Sequence, residues 1–326
     1  MKTVFSDTVP AVGTGGQQTR ARRQVLLALC FLLTLLRWPA SHAQTPVQVV
    51  SKVVEKEIPY TDGQRIRLTA QKADIILKGW NRNVVSVKLR LTARHPDRAV
   101  AEREVAYHQY TLGTTGAEVE LSNRFVIPQR AGKLQSQLKA VFEVNVPARA
   151  ILSISDAFGD ISLRDLAGDV TLSFEFGKLT LDDITGKLSL TSQYGDIDGR
   201  SVNATLFCKA EKADITLRDL GGNSRIQSRY GKLTLVPNPA TLTALRVEAA
   251  RTDILLATQR IADFRYDVLA AQAAINVPAG YADALGRYGG RQTFTLQPPG
   301  RKPEISIQNT YSNVTIQNDN AFGMSR

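Results

Sequence analysis

Phe158-Gly-Asp-Ile-Ser-Leu, Phe176-Gly-Lys-Leu-Thr-Leu, Tyr194-Gly-Asp-Ile-Asp-Gly, Lys212-Ala-Asp-Ile-Thr-Leu and Tyr230-Gly-Lys-Leu-Thr-Leu follow one another at intervals of 18 residues. Self-similarity at a short fixed period is the signature of stacked coils, because each repeat can bury its apolar edge only against the next. A second element, Leu166-Ala-Gly-Asp-Val-Thr-Leu, Ile184-Thr-Gly-Lys-Leu-Ser-Leu and Val202-Asn-Ala-Thr-Leu-Phe-Cys, falls eight residues after each aromatic-Gly corner. Each coil therefore carries two strands. Apolar and polar residues alternate with the period of 2 that sends one face of a strand inward. Overlaying the coils gives apolar columns: Ile161, Leu179, Ile197, Ile215, Leu233; Leu166, Ile184, Val202, Leu220; and Leu172, Leu190, Cys208, Ile226. The expected fold is all-β, a parallel β-solenoid with two strands per coil of about 18 residues, its coils stacked ~4.8 Å apart.

After Leu235 the register loosens. Asp253-Ile-Leu-Leu and Ala274-Ile-Asn-Val come at 21-residue intervals, followed by Phe294-Thr-Leu and Asn313-Val-Thr-Ile at about 20. Val236-Pro-Asn-Pro and Pro278-Ala-Gly read as lengthened corners, since proline cannot serve inside a paired strand. These spacings place the repeat domain at residues 151–317, with a polar, disordered tail at 318–326. Residues 44–150 are strand-rich without the tight period and read as an irregular N-terminal β cap, which would cover the unpaired edges of an open solenoid end. Within them, Lys72-Ala-Asp-Ile-Ile-Leu-Lys-Gly-Trp80 looks like a first coil, and Asp97 caps a short helix running to Ala106.

Residues 1–43 read as a signal peptide: Arg20, Arg22 and Arg23, an apolar run from Val25 to Leu36, and Ser41-His42-Ala43 as the cleavage site. The run is too short to span a bilayer comfortably and Arg37 closes it, so cleavage after Ala43 is favoured over retention as an anchor. Cys30 lies inside the apolar run rather than at its end, which argues against a lipoprotein. The expected location is extracytoplasmic, in the periplasm, on the cell surface or secreted. Of the 41 basic and 30 acidic residues the signal takes five and one, leaving a mature net charge of +7. Those charges are scattered singly along strands, without the basic cluster that nucleic acid would need. One mature cysteine, Cys208, allows no intramolecular disulfide.

Four stretches carry a family resemblance: Asp74-Ile-Ile-Leu-Lys-Gly-Trp80 with Val84-Val-Ser-Val, Val144-Asn-Val-Pro147, Gly159-Asp-Ile-Ser-Leu-Arg-Asp-Leu-Ala-Gly-Asp-Val, and the serial Tyr-Gly-Asp/Lys-Ile/Leu corners. Over residues 50 to 317 the chain resembles the bacterial DUF4097 family, whose members are described as adhesins. The resemblance implies an exported or envelope-associated β-solenoid without known catalytic residues, and some members are linked to envelope-stress signalling.

The ladder Phe158, Phe176, Tyr194 and Tyr230, interrupted by Lys212, is the candidate ligand contact. Stacked rings at a corner also lock neighbouring coils together, and the lysine gap interrupts any continuous sugar platform. Beside it, Asp160, Lys178, Asp196, Asp214 and Lys232 are expected to pair along the stack. No calcium-roll nonapeptide occurs, and the two mature histidines, His95 and His108, lie outside the repeats, so no metal site, cofactor or catalytic group is assigned. Asp196 and Asp198 share a strand face and are the carboxylate pair a glycan hydrolase would need, but short corners build no cleft around them. Cys208 belongs to an apolar column and Trp80 packs at a strand end. The function expected is an exported, non-enzymatic, adhesin-like interaction module whose partner is an envelope protein or a glycan. The alternatives are a carbohydrate-active β-helix enzyme or glycan-binding protein, and a scaffold partner in envelope-stress signalling.

Overall fold

The computed structural model describes residues 46–318. The signal segment at 1–43 and the tail beyond Asn318 lie outside the described residues. Contacts divide the chain between Pro46 and Val47, and the second unit is the one described below. In chain order it holds β1 (Gln48–Pro59), β2 (Arg65–Ala70), β3 (Ala73–Trp80), β4 (Val84–His95), the helix α1 (Arg98–Val105), β5 (His108–Thr115), β6 (Glu118–Phe125), β7 (Gln137–Pro147), β8 (Ile151–Asp156) and β9 (Ile161–Leu166). There follow β10 (Asp169–Glu211), β11 (Ile215–Thr258), β12 (Arg265–Ala271), β13 (Ile275–Asn276), β14 (Leu285–Tyr288), β15 (Arg291–Leu296), β16 (Glu304–Thr310) and β17 (Val314–Asn318). They form one 17-stranded sheet, mostly parallel and not closed.

The 18-residue period is the pairing register. Ile197 lies beside Ile215 and Cys208 beside Ile226; Leu179 lies beside Ile161, and Val170 beside Leu152. β10 and β11 are so long because the chain turns its corners within about one residue, the ladder resuming at once, as with Arg200 beside Arg218 and Val202 beside Leu220. It does so through non-glycine residues at positive φ, in two series. One is Phe176, Tyr194, Lys212 and Tyr230; the other is Asp165, Asp183, Ser201 and Asp219. Such a conformation is costly for any residue with a Cβ, so its recurrence at the same two positions marks a corner imposed by stacking. The following glycine is required at Gly177 and Gly231, where a Cβ would collide with the carbonyl oxygens of Gly159 and Ala213 in the turn beneath. Every residue of the apolar columns is buried, from Ile161 to Leu233, Leu166 to Leu220 and Leu172 to Ile226.

At both ends the order in the stack departs from the order in the chain. The pair β2–β3 lies between β6–β7 and β8–β9, parallel to all four. Lys72 to Trp80 is thus a turn in register with the repeats, as its sequence suggests. Beyond it β7, β4 and β1 pair antiparallel, and α1 packs on β1 and β4 with Asp97 Oδ1 accepting the Ala99 amide at 2.8 Å. At the other end the sequential spacing near 20 residues misleads. β15 runs antiparallel on β12 and carries β14 as a hairpin. The chain then returns, so that β16 and β17 slot in parallel between β11 and the preceding strands β12 and β13. The last strands fill the gap that 21-residue spacing leaves, and the hairpin shields the edge that sequential stacking would expose.

Candidate interaction surface

The structure brings Phe158, Phe176, Tyr194 and Tyr230 onto one corner. Phe158 and Phe176 stack with centroids 5.1 Å apart and planes 2° from parallel; Phe176 and Tyr194 stack at 5.1 Å and 5°. Lys212 continues the column, its Nζ 4.8 Å from the Tyr194 ring centroid and donating to the Tyr194 hydroxyl at 3.1 Å. That hydroxyl holds the lysine above its ordinary pKa. Arg251 then lies over Tyr230 and Tyr311, each 5.5 Å away, and donates to the Tyr230 hydroxyl at 2.7 Å. The ladder is therefore a series of rings and cations. Tyr311 enters it only because β16–β17 slots in out of chain order, although Tyr311-Ser-Asn-Val-Thr-Ile follows the corner pattern. The rings are 40–54% exposed, but the inner faces are spent on neighbours. A ligand meets mainly ring edges.

The charged column beside the ladder is wired differently from the expected ion pairs. Asp160 Oδ1 accepts the Lys178 amide at 2.9 Å, Asp196 that of Asp214 at 2.9 Å, and Asp214 that of Lys232 at 2.8 Å. An aspartate is short enough to reach the backbone of the next turn, whereas a lysine reaches past it: Lys178 Nζ lies 3.3 Å from Asp198, which Arg218 also holds at 2.8 Å. Asp196 and Asp198 are thereby committed to amides and cations.

Behind the corner runs a row of buried polar side chains. Ser192 Oγ donates to Gly195 O at 2.6 Å, Asn309 Nδ2 to Ser312 O at 2.7 Å, and Asn123 Nδ2 to Gln71 O at 2.9 Å, so each ties down a turn. Asp156, 4% exposed, stands in the same row, and neither oxygen has a hydrogen-bond partner. Burial raises its carboxyl from 3.8 to about 6, the nearby amides of Ala157 and Phe158 pulling only partly back. Cys208 is buried and free, its thiol pushed up to about 12 by burial. His108 is buried too, Nε2 3.2 Å from Thr92 O, and His95 sits apart beside Asp97. Trp80 Nε1 donates to Val84 O at 2.9 Å, closing its own strand end. Among the described residues no three His, Cys, Asp or Glu side chains gather as a metal site, and no helix is long and apolar enough to cross a membrane.

The outward faces of β10 and β11 hold what the periodicity did not reveal. Where the spacing between turns lengthens from 18 to 21 residues, a furrow of about 430 Å³ opens over Ala210, Ser228 and Ala249, flanked by Lys209, Glu211, Gln227, Arg229, Glu248 and Ala250. A second, of about 270 Å³, lies beside it over Ser224 and Leu245. Ser224, the polar break in the column of Val170, Leu188 and Leu206, is buried with its hydroxyl unpartnered. Next to Lys209 in sequence terms, Phe207 projects from the same face, 40% exposed.

No family model matches the chain, and no curated protein matches it. Among solved structures it is similar to a "putative cell adhesion protein" of Clostridium sporogenes ATCC 15579, at 10% identity over 83% of this chain and 100% of that one, TM-score 0.29. It is likewise similar to a "putative adhesin" of Bacteroides fragilis NCTC 9343, at 11% identity over 82% and 97%, TM-score 0.39. A "putative lipid binding protein" of Parabacteroides distasonis ATCC 8503 is similar at 9% identity over 82% and 97%, TM-score 0.39.

Proposed function

We propose that this chain is an exported, non-enzymatic β-solenoid whose outer sheet face serves as an adhesin-like interaction module in the envelope or outside the cell. One observation carries the reading: successive turns pair in register along β10 and β11, so side chains of like position form straight rows across a rigid face. Such rows, repeating at ~4.8 Å, suit an extended partner better than a small molecule enclosed in a cleft. The carboxylates nearest to a hydrolytic pair are instead tied to Lys178, Arg218 and the Asp214 amide. The ladder, in which Phe176 is stacked on both faces by Phe158 and Tyr194, supports this face by holding register.

Two measurements test the reading together. Expression of the full chain in a bacterial host, with fractionation and N-terminal sequencing, should recover an extracytoplasmic protein beginning at Gln44. A screen against extracellular polymers should then find saturable binding without turnover. Cytoplasmic retention with residues 1–43 intact, or depolymerisation of a bound glycan, would refute it.

A further inference from the structure

We propose that the furrow at the step from 18- to 21-residue turns binds a linear anionic glycan, held by Lys209 and Arg229 and stacked on Phe207; this rests on the interaction-module reading and names its ligand class. Charge comes first. Two other surfaces have matched cations: Lys187 with Asp169 at 3.3 Å on the same face, and, in the groove of about 460 Å³ at the antiparallel end, Lys88 with Glu55 at 3.1 Å. In the furrow, Glu248 is ion-paired with Arg225 at 2.8 Å and accepts a hydrogen bond from Gln227 Nε2 at 3.0 Å. Lys209 and Arg229, both exposed, flank the same furrow with no ion pair to an acidic side chain among the described residues. Glu211 is the one further acid lining it. Two free cations against one acid, with a guanidinium able to grip a carboxylate or sulfate bidentately, favour an anion.

Shape and apolar surface narrow the class. The furrow is half open to solvent and crosses the strands of residues 209–211, 227–229 and 248–250, a span of ~10 Å at the strand spacing. An open polar trough admits a chain passing through it and offers no enclosed apolar volume for an acyl tail. Phe207, 40% exposed, stands two residues before Lys209 on the same face with Arg225 beside it in register, and unlike the rings of the ladder it has no aromatic ring or cation stacked on it among the described residues. A ring face beside unpaired cations fits a sugar ring bearing an acidic group.

The test uses the full chain, titrated calorimetrically with polygalacturonate, dextran sulfate, unmodified dextran, and phosphatidylglycerol-containing vesicles. Either anionic polymer should bind and dextran should not, with affinity falling as salt rises. Lys209→Ala/Arg229→Ala and, separately, Phe207→Ala should each weaken binding about tenfold or more. Lys187→Ala, which disturbs a matched pair on the same face, should change it less than about threefold. Unaltered circular dichroism and melting show that the exposed substitutions leave the fold intact. Equal affinity for dextran, unchanged binding in the Lys209/Arg229 variant, or tighter capture of vesicles through these residues would overturn the proposal. Binding of a neutral polymer elsewhere would overturn the furrow assignment while leaving the interaction-module reading standing.

Discussion

Replacing Phe176 separates what the ladder contributes from what its backbone costs. The ring stacks on Phe158 at 5.1 Å and on Tyr194 at 5.1 Å, and each such pair contributes ~0.5–1.5 kcal/mol beyond area burial. With the ring 42% exposed, truncation also forfeits roughly 1 kcal/mol of apolar burial. Phe176→Ala should therefore destabilise the chain by about 2–4 kcal/mol. The residue sits at φ 45°, a conformation that costs a residue with a Cβ about 1 kcal/mol and glycine almost nothing. Phe176→Gly should consequently be as stable as Phe176→Ala or more so, by up to about 1 kcal/mol, inverting the usual order for strand positions. Urea unfolding of the full chain, followed by circular dichroism at matched m-values, reads both numbers. A double-mutant cycle of Phe158→Ala with Phe176→Ala isolates the stack, with an expected coupling of ~0.5–1.5 kcal/mol. Additivity within about 0.3 kcal/mol, or a glycine variant clearly less stable than the alanine variant, would refute the reasoning.

Asp156 supplies a pH signature. Its carboxyl rises from 3.8 to about 6 on folding, so the folded chain binds the proton more tightly. Stability from this group is full below about pH 4 and lost as pH rises through 6, about 3 kcal/mol at ~1.4 kcal/mol per pH decade. Asp156→Asn should gain on the wild type by up to that amount between pH 4 and pH 7 in denaturant titrations, and a pH-independent difference would contradict the assignment. Cys208, buried with its thiol at about 12, should resist a thiol reagent such as DTNB in native buffer and react stoichiometrically in denaturant. Rapid native labelling would mean that the apolar column opens locally.

Much of this fold is written in the period. The 18-residue spacing sets the pairing of Ile197 with Ile215, the buried columns follow from alternation, and Asp97 caps its helix as its position implies. What periodicity does not encode is which distant strand fills which slot. β2–β3 and β16–β17 join the stack between strands far away in sequence, and Tyr311 reaches the ladder by that route. Side-chain reach was equally hidden: alternating Asp and Lys look like ion pairs along the stack, yet the short Asp160 finds the Lys178 amide while the Lys178 ammonium passes on to Asp198. The furrow escaped for a third reason. Phe207 and Lys209 follow serines and threonines in their rows, with Arg225 and Gln227 next in register, and the furrow opens beside Lys209 only at the lengthened turn bearing Ala249 and Ala250. The candidate ladder was legible because repetition exposes it; the furrow lies where repetition fails.

The measurement that weighs these two surfaces most directly is a paired titration of polygalacturonate into Phe176→Ala/Tyr194→Ala and into Phe207→Ala/Lys209→Ala/Arg229→Ala, at a temperature where both variants are folded. A ladder variant that binds within about threefold of the wild type, beside a furrow variant weakened more than about tenfold, is the result this account predicts. The reverse order, with the ladder variant losing the polymer and the furrow variant keeping it, would contradict it.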